Sequence, residues 1–238
     1  MIRHILTLGA GIGVLAWPTI GVAQAKHYDL ESTAALHVLN VVAQPAALDG
    51  KRGVRVSGDS VAIARLSMQA GQPASDLLAW IDGLQFGNGT IEAELAAAPA
   101  PGADTSARGF VGIAFRLHDD RKTYDAFYLR PTNGRAADQE RRNHATQYIS
   151  HPDWPWFRLR RETPSKYESY VDLVPNAWTK IRIEVHGTQA RLFVHDQPQP
   201  TLVVNDLKTG ATAKGAIALW IGPGTIAYFR NLTVTPAP

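Results

Sequence analysis

Two runs decide the fold: Phe110-Val111-Gly112-Ile113-Ala114-Phe115-Arg116-Leu117 and Tyr124-Asp125-Ala126-Phe127-Tyr128-Leu129-Arg130. Side chains alternate sides along a strand. On that period Val111, Ile113, Phe115 and Leu117 share one face of the first run, and Phe127 and Leu129 share one face of the second. The opposite faces carry Gly112, Ala114 and Arg116 in one run and Tyr124, Ala126, Tyr128 and Arg130 in the other. With the apolar faces turned inward, the small residues leave space on the second face. The pattern therefore predicts a trough lined by Arg116, Tyr128 and Arg130.

The same period recurs outward from these runs. Short alternating segments lie at 36–42, 53–56, 61–66, 77–81, 90–96, 144–150, 167–173, 180–186, 190–195, 215–221 and 226–234, separated by Gly, Pro, Asn and Asp. Strand signals with a turn about every ten residues predict an all-β fold of sandwich or barrel type. Val185-His186-Gly187-Thr188-Gln189-Ala190 reads as a hairpin turn. No segment shows a sustained helical period, and 131–143 reads as a long loop.

The bulk properties exclude several classes. The 238 residues carry 24 Lys and Arg against 21 Asp and Glu, a net charge of +3, which argues against nucleic acid as a partner. Cysteine is absent, so no disulfide supports the fold. Residues 1–25 read as a signal peptide: Arg3 and His4, an apolar stretch interrupted by Gly9, Gly11, Gly13 and Pro18, then Ala23-Gln24-Ala25. The stretch falls short of the about 20 residues that span a bilayer. The expectation is a periplasmic or secreted protein, free of the membrane after cleavage, with 26–238 as a single domain. No Gly-x-Ser-x-Gly, phosphate loop or dinucleotide fingerprint is present.

Ligand chemistry concentrates between Arg108 and Tyr170. This stretch holds twelve basic and eight acidic residues, five of the seven tyrosines, and the Trp154-Pro155-Trp156 pair. Guanidinium forks beside aromatic faces suit sugars and anionic groups. Arg116, Tyr128, Arg130, Asn133, Arg135, Arg142, Asn143 and His144 are the candidates for binding hydroxyls or an acidic sugar. Tyr148, Tyr170, Trp154 and Trp156 are the aromatic candidates, with one of the two tryptophans expected to plug its loop instead. For catalysis, glycoside hydrolysis usually needs two carboxyl groups about 5 Å or more apart. Glu92 and Glu94, two strand steps apart at about 6.5–7 Å, read as a charged solvent face. Glu168, between Tyr167 and Tyr170, is the best-placed single carboxylate, with Asp125 and Asp172 behind it. His144 and His151 lack a carboxylate at ligand spacing, so no cofactor or catalytic metal is expected. A structural calcium ion in a loop remains compatible with the sequence.

Several segments resemble a known bacterial group. They are Phe86-Gly87-Asn88-Gly89-Thr90-Ile91-Glu92, Gly109 to Arg116, Phe127 to Gly134, Tyr167 to Leu173, Trp178-Thr179-Lys180, Val204-Asn205-Asp206-Leu207 and Tyr228-Phe229-Arg230-Asn231-Leu232. The chain is similar through them to concanavalin A-like, laminin G-like jelly rolls and the 3-keto-disaccharide hydrolase family. The resemblance implies two packed antiparallel sheets with a concave sheet facing a saccharide. Laminarinase-type glucanases of this fold carry Glu-x-Asp-x-x-Glu, whereas Glu92-Ala93-Glu94-Leu95-Ala96-Ala97 lacks the central Asp and the last Glu. That departure argues against laminarinase-type catalysis. Three functions follow as expectations: a carbohydrate-binding domain, a glycoside or keto-sugar hydrolase using Glu168, and a protein-interaction module gripping its partner with the aromatic loop.

Overall fold

Among residues 24–64 and 76–237, which the computed structural model describes, fifteen strands form two antiparallel sheets. The first sheet runs in the order β13 (Leu202–Val204), β12 (Gln189–Val194), β11 (Thr179–His186), β6 (Gly89–Pro99), β15 (Thr225–Pro236), β4 (Lys51–Gly58) and β3 (Val41–Leu48). Here β1 (Lys26–Tyr28) pairs with the far end of β15. The second sheet runs β10 (Glu168–Ser169), β9 (Thr146–His151), β8 (Tyr124–Leu129), β7 (Val111–Leu117), β14 (Ala216–Ile221), β5 (Leu78–Ile81) and β2 (Leu36–Leu39). This is the expected jelly-roll sandwich. The hairpin joining β11 to β12 turns through Gly187 and Thr188, with Gly187 at a φ of 57° that costs glycine no Cβ clash.

The two sheets solve burial differently. The first has one wet face: β11 alternates buried Thr179, Ile181, Ile183 and Val185 with exposed or half-buried neighbours. Glu92 and Glu94 belong to that wet face, where Glu92 stands opposite Arg182 and Glu94 accepts from Asn231 at 2.7 Å. In the second sheet every residue of β7, β8 and β14 is buried. An antiparallel sheet commonly wets one face, so its own side chains must roof this one. Tyr128, Gly112 and Trp220 stand opposite one another on β8, β7 and β14. Gly112 leaves the middle of this row empty, and the Tyr128 ring stacks on Trp220 at 4.7 Å. The Trp220 indole donates to the Tyr124 hydroxyl.

The predicted trough is therefore absent. Tyr128 is only 2 % exposed and Arg116 is fully buried. For Arg116 the cause is a β-bulge. Ala216 faces Leu117 while Ala218 faces Ala114, so β7 carries one residue more than β14, and Arg116 takes a φ of 54°. The bulge breaks the alternation and redirects Arg116 to the end of the sandwich. There it donates to the carbonyls of Gly87, Gly187 and Gly210, to Asn88 Oδ1 and to Thr209 Oγ1, with Asp125 at 3.9 Å.

Other departures are local. Segment 36–42 breaks at Asn40, whose φ of 57° sends β2 and β3 into different sheets. Residues 60–64 are helical rather than extended, because Asp59 Oδ1 caps the amides of Val61 and Ala62. The rest of the expected 61–66 strand lies outside the described residues, as do residues 1–23 of the expected signal segment. Of 167–173 only β10 pairs. The expected loop at 131–143 contains a 3-10 turn at Pro131–Asn133 and helix α1 (Gln139–Asn143), which Asp138 caps through the Arg141 amide at 2.7 Å. The aromatic loop leads into helix α2 (Trp156–Glu162). No described helix is long and apolar enough to cross a membrane.

Candidate functional site

At one end of the second sheet, a cross-strand row joins Glu168 on β10, Gln147 on β9 and Tyr128 on β8. Arg130, two residues beyond Tyr128, spans this row. Its Nη2 donates to the Tyr128 hydroxyl at 2.9 Å and to Gln147 Oε1 at 3.0 Å; its Nη1 donates to Glu168 Oε1 at 3.2 Å and to the His144 carbonyl at 2.9 Å. A buried guanidinium with these partners satisfied holds one position. Arg130 is the fixed floor of the site.

Above this floor opens a cleft of about 680 Å³, lined by Arg108, Phe110, Arg130, Asn133, Arg141, His144, Trp156 and Arg160 together with Asp104, Ser106, Ala107, Pro223 and Gly224. Helix α2 supplies one wall. Its Leu159 is buried, and that anchor turns Trp156 and Arg160, one helical turn apart, onto a common face. The Arg160 guanidinium lies 4.8 Å from the Trp156 ring centre, and Trp156 remains 45 % exposed. Helix α1 supplies Arg141 and hands on to His144, whose carbonyl also accepts from Asn133 Nδ2. The 100–108 loop supplies Arg108, whose Nη1 donates to the carbonyls of Thr105 and Ala107.

Glu168 is the one carboxylate of the floor, and its oxygens are taken. Oε1 accepts from Arg130 and Arg160 Nη2, and Oε2 from Arg160 Nε at 3.0 Å. His144 Nδ1 lies 3.0 Å from Oε2 but is not aligned for a hydrogen bond. Burial pushes the His144 pKa down; Glu168 pulls it up, while Arg160 and Arg130 add to the depression. His144 and Glu168 also border a second cleft of about 230 Å³ with Asn143, Ser165, Ser169 and Tyr170. At Arg108 the pKa is lowered first by burial, then by the positive charge of Arg141 and Arg130. The site is thus a donor array with crowded positive charge and one exposed indole.

Of the sequence candidates, the main cleft gathers Arg130, Asn133, His144 and Trp156, with Glu168 and Tyr128 beneath them. The second cleft adds Asn143 and Tyr170, and Arg142 donates to the Tyr170 hydroxyl at 2.8 Å. Four binding candidates and two carboxylate candidates fall elsewhere. Arg116 is the buried clamp described above. Tyr148 is fully buried, donating to Asp125 at 2.6 Å, because the β9 face it occupies points into the core. Arg135 is bound by both oxygens of Asp172 at 2.7 and 2.8 Å, which also removes Asp172 from the catalytic candidates. Trp154 is the loop plug: it packs against the core, with Arg158 at 3.8 Å and Lys208 at 4.7 Å from its ring centre. Asp125 is fully buried and takes the Tyr148 and Thr209 hydroxyls.

Arg108, Phe110 and Arg160 were not among the sequence candidates. The four-residue spacing of Trp156 and Arg160 was the available signal for the last, and it becomes visible only once α2 is recognised as a helix. Among the described residues, no group of three or more His, Cys, Asp or Glu is placed to hold a metal ion.

The fold and its end-on cleft define a concanavalin A-like jelly roll. Residues 49–235 match the 3-keto-alpha-glucoside-1,2-lyase-like domain family, and the chain belongs to that family. Among solved structures, the carbohydrate binding module CBM66 from Bacillus subtilis is similar at a TM-score of 0.56 and 12 % identity, over 84 % of this chain and 95 % of that one. A putative glycosyl hydrolase from Parabacteroides distasonis gives 0.51 and 9 % identity, over 89 % and 100 %. A Bacillus subtilis protein of unknown function with a galectin-like fold gives 0.50 and 12 % identity, over 88 % and 94 %. At such identities the likeness is one of fold. No curated protein sequence matches the chain.

Proposed function

We propose that this protein is an exported saccharide-binding jelly roll whose ligand occupies the arginine cleft. The carrying observation is the exposed Trp156 indole beside fixed guanidinium donors, an apolar plate for a sugar ring next to groups that bind its oxygens. Arg130 and Asn133 form the rigid floor beneath the ring, Trp156 stacks on it, and Arg108, Arg141 and Arg160 close around its substituents. Family membership and the carbohydrate-binding-module fold support this reading. Export rests on residues 1–25, with the mature chain in the periplasm or outside the cell.

A second reading, an enzyme of the keto-sugar lyase or glycoside hydrolase kind, is favoured by the family and by His144 standing 3.0 Å from Glu168 on the wall between two clefts. Against it stands the engagement of both Glu168 oxygens by arginine. A glycan array followed by assay of reducing-end release separates the two. A binder retains array signals without turnover, loses them in Trp156→Ala by about tenfold or more, and keeps most of them in Glu168→Gln. Turnover abolished by Glu168→Gln with binding retained makes it an enzyme. An array with no glycan signal rejects both readings.

A further inference from the structure

We infer that the saccharide held in this cleft carries an oxyanion, a uronate carboxylate or a sulfate ester, anchored by Arg108 and Arg141. The inference rests on the saccharide reading above and adds the chemical class of the ligand.

Four guanidiniums line the cleft, and protein carboxylates answer only two of them. Glu168 serves Arg130 and Arg160. Arg108 donates to two carbonyls of its own loop, and Arg141 reaches only Asn133 Oδ1 at 3.5 Å. Neither forms an ion pair among the described residues, and the stretches 1–23 and 65–75 contain no Asp or Glu. Asp104 is on the rim, where its Oδ1 accepts from the Ser106 amide at 2.7 Å. With His144 neutral, the lining and floor carry two positive charges in excess.

Like charges brought together in a partly desolvated cleft repel one another more strongly than in water. The Arg108 pKa is lowered first by burial and then by Arg141 and Arg130, with Asp104 opposing, so part of the shift comes from that crowding. An anion removes the repulsion and accepts the free forks, whereas a neutral hydroxyl does only the second. Guanidinium matches the planar edge of a carboxylate and two oxygens of a sulfate with paired hydrogen bonds. Trp156 stands on the same cleft wall to receive the ring that bears the group.

Titration calorimetry of the folded chain with trigalacturonate, a heparin-derived tetrasaccharide and neutral galactotriose tests this. At low salt, one acidic probe should bind on the order of ten- to a hundred-fold tighter than galactotriose. The advantage should shrink as ionic strength rises through about 0.5 M. Arg108→Gln and Arg141→Gln should each remove most of it, read as the ratio of acidic-probe to galactotriose affinity within each variant; melting curves confirm that both variants fold. Preference for trigalacturonate identifies the carboxylate, and preference for the heparin fragment identifies the sulfate. Equal binding of neutral and acidic probes overturns the inference and leaves the saccharide reading standing. So does an acidic preference that survives in the double variant, because the anion then binds elsewhere. Failure of all three probes together with a blank glycan array removes both.

Discussion

At the residue scale, His144 gives the site a pH dependence whose direction follows from its surroundings. Burial and the neighbouring arginines hold its folded-state pKa below the unfolded value of about 6.5. As pH falls through that value, the unfolded chain takes up a proton that the folded chain refuses. The stability contribution is therefore complete above about pH 6.5 and declines on acidification until the folded-state pKa is reached. His144→Gln should flatten this part of the profile, seen as urea midpoints that no longer fall between about pH 7 and pH 5. A steeper acid loss in the variant would contradict the assignment. Arg130, Asn133 and His144 were legible as a group because they follow one strand and its loop in the sequence. Arg108 and Arg160 were not, since 22 and 30 residues separate them from Arg130 and only the fold brings them together.

At the scale of elements, the pairing of β7 with β8 depends on Gly112. A Cβ at that position would lie 2.1 Å from the Phe127 carbonyl oxygen and 2.6 Å from Tyr128 Cα. Gly112→Ala should destabilise the protein by about 1–3 kcal/mol, because backbone cannot yield as a flexible side chain does. The urea midpoint at an unchanged m-value measures it, and a loss under about 1 kcal/mol would mean that the Tyr128–Trp220 stack is not held this closely. The strands were readable because apolar residues alternate over six or more positions. Helices α1 and α2 were not: five and seven residues are too few to display a helical period, and local contacts stabilise them, Asp138 capping one and Leu159 anchoring the other.

For the whole molecule, Arg116 ties the sheets together. It leaves β7 of the second sheet and binds the Gly187 carbonyl in the β11–β12 hairpin of the first, besides the loops carrying Gly87 and Gly210. Arg116→Met would orphan these acceptors and leave Asp125 buried without its cation. Burial already raises the Asp125 pKa, and the Thr209 and Tyr148 hydroxyls and Arg116 oppose that rise. The expected cost is about 3–5 kcal/mol, measured by chemical denaturation. Arg116→Lys should restore little of it, because one ammonium cannot span five partners spread around a planar fork. A Met variant as stable as the parent would show that the clamp is dispensable.

Hydrophobic alternation by itself determined that this chain is all-β, a sandwich or a barrel, since the pleat sorts side chains by parity wherever a strand runs unbroken. Tertiary structure alone decided which polar groups meet. A bulge reverses parity at Arg116, aromatic rings roof a face that the pattern left open, and the cleft draws its arginines from a loop, two helices and a strand end. Such convergence depends on contacts between distant segments, and no local period encodes those contacts.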